Sequence, residues 1–168
     1  MELIHYAAEP VVFNRGRLYE QGEPRAFMKP RGFWVSVTGD DDWPSWCHDE
    51  GFALGQLAVP HAVELAAGND VLHLRTPGDI DWFHAAYSVE TEDARLMRGW
   101  NLFHEYVRGS WPVDWHRVAG EYDGLIIAPY QYSRRFGPGW YYGWDCASGC
   151  VWNLDAIESV GPVGVMPL

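Results

Sequence analysis

The stretch Gly32 to Gly55, GFWVSVTGDDDWPSWCHDEGFALG, changes periodicity halfway along. Its first half alternates Phe33, Val35 and Val37 on one face with Trp34, Ser36 and Thr38 on the other, the period-two pattern of a strand. In its second half Asp42 stands where a helix N-cap belongs. Pro44 falls in the first turn, where the missing proline N–H is no loss. A strand running directly into a short helix is expected here, and the same mixture continues on both sides.

Upstream, residues 2–7 read as a first strand and residues 9–31 as a polar stretch broken by Gly and Pro. Downstream, residues 61–65 and 71–75 read as strands flanking AAGND, whose Gly68 and Asn69 suit a hairpin. TPGDIDWFHAAY then starts a helix, with Thr76 as cap, Pro77 first and Asp79 third. Residues 90–108 carry a weaker helical pattern, and residues 113–119 a short helix. Gly124 precedes a continuous apolar strand, 125–128, and a loop with Pro138 and several glycines follows. A strand at 149–153 comes last, with LDAIESV (154–160) suited to one more. Short strands and short helices without regular βαβ alternation indicate an α+β chain, and its length suits a single domain over residues 1–168.

Hydrophobic residues make up 48% and aromatic residues 15%, including 10 Trp, so the chain folds around an aromatic core. The formal net charge of -11 argues against a non-specific grip on nucleic acid, which needs a basic face. Two small basic clusters, Arg25 with Lys29 and Arg31, and Arg134 with Arg135, read as solvated loops. No leader with a basic start and apolar core is visible, and no run is long and apolar enough for a membrane span. A cytoplasmic protein with reduced thiols and no membrane partner is expected.

Two of the three cysteines, Cys146 and Cys150, have a spacing that zinc tolerates, and Cys47 with His48 offers further ligands. Only that pair has such spacing, and knuckle-like turns do not flank it. The cysteines therefore read as small buried hydrophobes, with no metal. A Cys47 nucleophile served by His48 is disfavoured, because adjacent residues on a helix point in different directions.

Five features share an order along the chain: His5 in IHYA; RGFWVSV with Trp34 and Ser36; Trp43 and Trp46 on the following helix; Tyr122-Asp123-Gly124 before LIIAPY; and CVWN (150–153) followed by Ile157 and Ser159. This order resembles the ADP-ribosyltransferase superfamily, in the bacterial or phage type of the branch that includes diphtheria toxin and the poly-ADP-ribose polymerases. The resemblance covers residues 2–55 and 113–160, through short motifs, and leaves the middle unassigned.

The resemblance implies two small, mainly antiparallel sheets meeting at a nucleotide-binding cleft, with short flanking helices. It implies NAD as substrate, cleavage of the nicotinamide–ribose bond, and an acceptor that is a protein rather than nucleic acid. His5 would bind the adenosine ribose, while Ser36 and a backbone amide near Tyr6 would hold the carboxamide or ribose. Trp34, Trp43 and Trp46 would clamp the nicotinamide ring. Family members carry a glutamate just before the final strand, but Ser148 stands there in this chain, and Asp145 is the only acid close by. The expected catalytic set is therefore His5, Asp145 and Ser148, with Asp145 steadying the developing cation from a shifted position. The alternative is a non-catalytic binding module, such as an inhibitor of a host protein, that keeps the fold.

Overall fold

The computed structural model describes residues 1–97 and 111–163. The strands are β1 (Leu3–Ala7), β2 (Phe33–Val37), β3 (Val59–Leu65), β4 (Val71–Leu74), β5 (Gly124–Ile127), β6 (Ser148–Val151) and β7 (Ile157–Pro162). They form one seven-stranded sheet in the order β4-β5-β6-β2-β1-β3-β7. Every neighbouring pair is antiparallel except β4 and β5. That parallel pair needs a long crossover. The chain between them provides it through α2 (Pro77–Tyr87), α3 (Glu92–Met97) and α4 (Trp115–Glu121).

The chain is α+β, but among the described residues it forms one sheet where two were expected. The sheet is curled: Val71 from its β4 edge shares a buried cluster with Val63 and Ile157 from its other end, together with Leu3, Val35, Ile126 and Val151 between them. One continuous ladder thus supplies both facing halves, and no break in hydrogen bonding is needed. The opposite face of β4-β5-β6 carries a second cluster rich in large rings. There Ile80, Phe83 and Tyr87 of α2, Trp115 and Val118 of α4, and Trp140 and Tyr141 of α5 (Gly139–Tyr142) cover Leu74, Leu125, Ile127 and Cys150. The strand β5 is buried along its whole length, which explains its uninterrupted apolar run.

Local chemistry sets the element ends. α1 (Trp43–Glu50) begins at Asp42, whose carboxylate accepts from the Ser45 N–H at 2.9 Å, and stops at Gly51 in the left-handed region (φ 63°). α2 begins in a full capping box between Thr76 and Asp79. The helix expected at 113–119 starts later, because Val113 bridges to Ser88 and Asp114 acts as the cap. The weaker helical pattern at 90–108 is helical at Glu92–Met97, and its remainder from residue 98 lies outside the described residues.

The hairpin expected around AAGND does not form. Gly68 turns the chain with φ 76°, but β3 pairs with β1 and β7, whereas β4 pairs with β5 at the far edge. Leu74, Leu125 and Ile127 are buried together with Ile80 and Phe83 of α2, so tertiary packing overrides the turn signal. Among the described residues no helix is long and apolar enough to cross a membrane.

Candidate functional site

The three central strands β6, β2 and β1 place the candidate residues side by side. Ser36 of β2 is the register partner of Ser148 on β6 and of Ile4 on β1. Here the structure forms a cavity of about 290 Å³, lined among others by His5, Tyr6, Trp34, Ser36, Trp43, Asp145 and Ser148. Residues from opposite ends of the chain thus border one space. Its volume lies at the low end for ligand pockets, enough for a ring with an attached sugar and too small to enclose a whole dinucleotide.

His5 is the most constrained member. Its Nδ1 lies 2.7 Å from the Trp34 carbonyl oxygen, and its ring stacks on Phe33 with centroids 4.2 Å apart. A carbonyl only accepts, so Nδ1 carries the proton and Nε2 keeps its lone pair. Burial pushes the pKa of His5 down, outweighing the Trp34 hydrogen bond, and nearby His61 lowers it further. His5 is therefore neutral, with an acceptor at Nε2, and its ring lies on the Phe33 face of the sheet.

Ser36, 4% exposed, ties strand to helix: its Oγ accepts from the Trp43 N–H at 3.0 Å. That bond fixes the start of α1 and leaves the hydroxyl proton free to donate. Ser148, also buried, donates from Oγ to the Cys146 carbonyl at 3.1 Å, so its proton is committed within the chain. The segment between them is pinned by Ala147 N–H to the Asp41 carbonyl at 2.7 Å and by Val37 N–H to the Ala147 carbonyl at 2.9 Å.

Asp145 brings the cavity's negative charge. Burial pushes its carboxyl up, and the neighbouring cations Lys29 and Arg135 pull it back only in part. The Lys29 ammonium stands 3.8 Å from Asp145 Oδ2 and 5.3 Å from the centroid of the Trp34 ring. Tyr6 completes the rim, its hydroxyl held above the ordinary phenol range by burial and then by the charges of Asp42 and Glu2.

Trp43 lines the cavity, whereas Trp46, expected as a second clamp, does not. Trp46 stacks behind Trp43 at 5.1 Å and 14°, and Phe52 meets both rings edge-on. At a spacing of three on a helix one ring buttresses the other. Sequence reasoning missed Lys29 and Gln56 among the lining residues, and it read Cys146, which also borders the cavity, only as a packing residue. Lys29 was visible only as part of a basic cluster. Gln56 sits in the short turn Leu54–Leu57 after Ala53 at φ 50°, where no sequence signal marks it.

Of the three cysteines, Cys146 borders the cavity, whereas Cys47 and Cys150 do not. All three cysteines are free and buried, and burial raises the Cys146 thiol to about 12 and pushes Cys150 up as well. Among the described residues no group of three or more His, Cys, Asp or Glu side chains is placed to hold a metal ion. Tyr122-Asp123-Gly124 and CVWN bind each other. The Asp123 carboxylate accepts from Asn153 Nδ2 at 2.7 Å and from the Asp70 N–H at 2.9 Å, while Trp152 Nε1 donates to the Tyr122 carbonyl at 2.6 Å. A Cβ on Gly124 would stand 2.8 Å from the Cys150 carbonyl, so only glycine allows β5 and β6 to approach there. Comparison of the chain with family models, curated proteins and solved structures finds no match in any of the three.

Proposed function

We propose that this chain is an NAD-dependent ADP-ribosyltransferase-like protein that cleaves the nicotinamide–ribose bond and transfers ADP-ribose to an acceptor, a protein rather than a nucleic acid. The observation that carries this reading is the convergence of His5, Tyr6, Trp34, Ser36, Trp43 and Asp145 around one cavity of about 290 Å³. In this reading the nucleotide-binding cleft is the cavity on the face of β1, β2 and β6 that carries Ile4, Trp34, Ser36 and Ser148, opposite the face that Leu3, Val35 and Val151 bury. Its size suits the nicotinamide end of NAD, with the adenosine end lying outside.

The residues divide the work by their chemistry. The lone pair of His5 Nε2 accepts from a ribose hydroxyl, and the free proton of Ser36 donates to an amide or ribose oxygen. The indole faces of Trp34 and Trp43 take a flat, positively charged ring. Breaking the C1′–N bond sends the electron pair to nicotinamide, which leaves neutral, and builds positive charge on the ribose carbon, as in glycoside cleavage. The Asp145 carboxylate lowers the energy of that charge, and the acceptor nucleophile then adds to C1′ and gives up its proton.

A second reading has an observation of its own. Ser148 stands where the resembled family has glutamate, its proton is bound to the Cys146 carbonyl, and Lys29 partly neutralises Asp145. Under that reading the chain binds NAD, or a partner, without turnover. Measuring nicotinamide released from NAD in the presence of candidate protein acceptors separates the two. Turnover that drops about a hundredfold in His5→Ala and Trp34→Ala supports the transferase, since one lost orienting contact commonly costs that much. NAD binding with no release from any acceptor leaves the binding module.

A further inference from the structure

Lys29 is the charged lining residue that the proposed chemistry does not use, and its surroundings are specific. Its ammonium lies between a carboxylate, 3.8 Å away at Asp145, and an electron-rich ring face, with the Trp34 centroid at 5.3 Å. A carboxylate beside an indole face is what an organic cation seeks: Coulomb attraction from one side and the ring quadrupole from the other.

The backbone around Lys29 is held on both sides. Trp115 Nε1 donates to the Met28 carbonyl at 3.0 Å, and the Arg31 N–H donates to Gln21 Oε1 at 2.9 Å. Opposite its stem, a Cβ on Gly143 would stand 3.2 Å from Lys29 Cε, so the stem lies close along a glycine. The Lys29 side chain itself is 40% exposed. The loop therefore stays in place while the ammonium is free to swing outward by rotation about its own bonds.

We propose that the Trp34–Asp145 corner of the cavity is a binding site for a flat organic cation of the pyridinium class, and that Lys29 fills it from within the chain until such a ligand displaces it. Lys29 then sets specificity. A neutral ring gains nothing from evicting an ammonium, whereas a cationic ring recovers both interactions that the ammonium gives up. The inference rests on the proposed function only in taking the cavity as a ligand site, and it does not require turnover.

Calorimetric titration of the full chain with N-methylnicotinamide cation, tetramethylammonium and neutral nicotinamide tests it. In Lys29→Met, which keeps the stem and removes the charge, both cations should bind about tenfold tighter, because they no longer displace a cation–π contact and a loose ion pair. Nicotinamide should bind as it does to the parent, and Lys29→Arg should behave like the parent towards all three. Lys29→Gln repeats the experiment should Lys29→Met fold poorly. An equal gain for nicotinamide makes Lys29 a mere obstruction and overturns the proposal. Unchanged or weaker cation binding in both uncharged variants also overturns it, because the ammonium would then not be competing for the corner. A Lys29→Met chain that binds cations tighter but never releases nicotinamide from NAD retains this site and loses the transferase. Release of nicotinamide without the cation gain does the reverse.

Discussion

Replacing Asp145 by Asn should make the protein more stable and less active. The carboxyl is a quarter exposed, and its proton is held above the ordinary carboxylate range even with Lys29 and Arg135 nearby. Burial thus costs the charge more than those cations return. The Lys29 pair cannot reverse this balance: at 3.8 Å, with the ammonium 40% exposed, it is worth at most about 1 kcal/mol. Asparagine keeps the shape and removes the charge. The expected gain at pH 7 is roughly 0.5–1 kcal/mol, or about 1–4 °C in melting temperature for a chain of this size.

The pH dependence fixes the sign. A folded carboxyl with a raised pKa binds its proton more readily than the unfolded chain does. Its stabilising contribution is therefore full below the unfolded value, near 3.8, and is lost as pH rises through the folded value. The amide introduced by Asp145→Asn does not titrate, so the variant's advantage over the parent should appear between acid and neutral pH and vanish at pH 3. Urea unfolding of both proteins at pH 3 and pH 7 measures this, with nicotinamide release recorded in parallel and expected to fall about a hundredfold. A variant less stable than the parent at pH 7, or one whose advantage is equal at both pH values, refutes the account of Asp145 as a charge held at a cost to the fold.

Gly149→Ala should destabilise by roughly 2–3 kcal/mol, seen as a lower urea midpoint, because the added Cβ would stand 2.5 Å from Ile126 Cγ1 and 2.9 Å from the Leu125 carbonyl. Trp46→Ala should lower stability by about 2 kcal/mol and weaken ligand binding only through the tilt of Trp43, whereas Trp43→Ala should weaken binding more than stability; calorimetry and melting curves read the two effects separately. All three thiols should resist a thiol reagent at pH 8 in the folded protein and react on unfolding, since they are buried and burial pushes the Cys146 thiol up to about 12. Changing Cys146 and Cys150 together to Ala should cost about 1–3 kcal/mol and leave any nicotinamide release largely intact.

What could be read from the sequence follows a physical division. Features set by neighbours in the chain were legible: the alternation in Phe33–Val37, the Asp42 cap, the Thr76–Asp79 box and the apolar run of β5. Features set by competition between distant surfaces were not. Asn69 and Gly68 signal a hairpin, and the turn is there, yet β4 leaves β3 for β5 because the surface beneath α2 rewards that pairing more. One curled sheet and two facing sheets place strands with the same local sequence, so the sequence pattern does not distinguish them.

The site divides in the same way, and the division explains Lys29. His5, Ser36 and Ser148 sit on β1, β2 and β6, which are adjacent in the sheet, and Trp43 follows β2 on a helix that Ser36 itself anchors. Once those strands pair, the period of two puts Ile4, Ser36 and Ser148 on one face, whereas His5, one residue on from Ile4, takes the other face and stacks on Phe33, so a reading of strands alone finds the serines but does not bring His5 to them. Lys29 belongs to a stretch with no period, where contacts far along the chain fix its position: Trp115 on Met28, Gln21 on Arg31, and the Cys150 thiol 3.7 Å from the Pro30 carbonyl. A basic cluster in an acidic chain looks like a solvated loop until those contacts turn one of its members inward. The charge that sequence analysis set aside as surface is the one that stands against Asp145 and Trp34, so the lining of the cavity includes a residue that only the fold reveals.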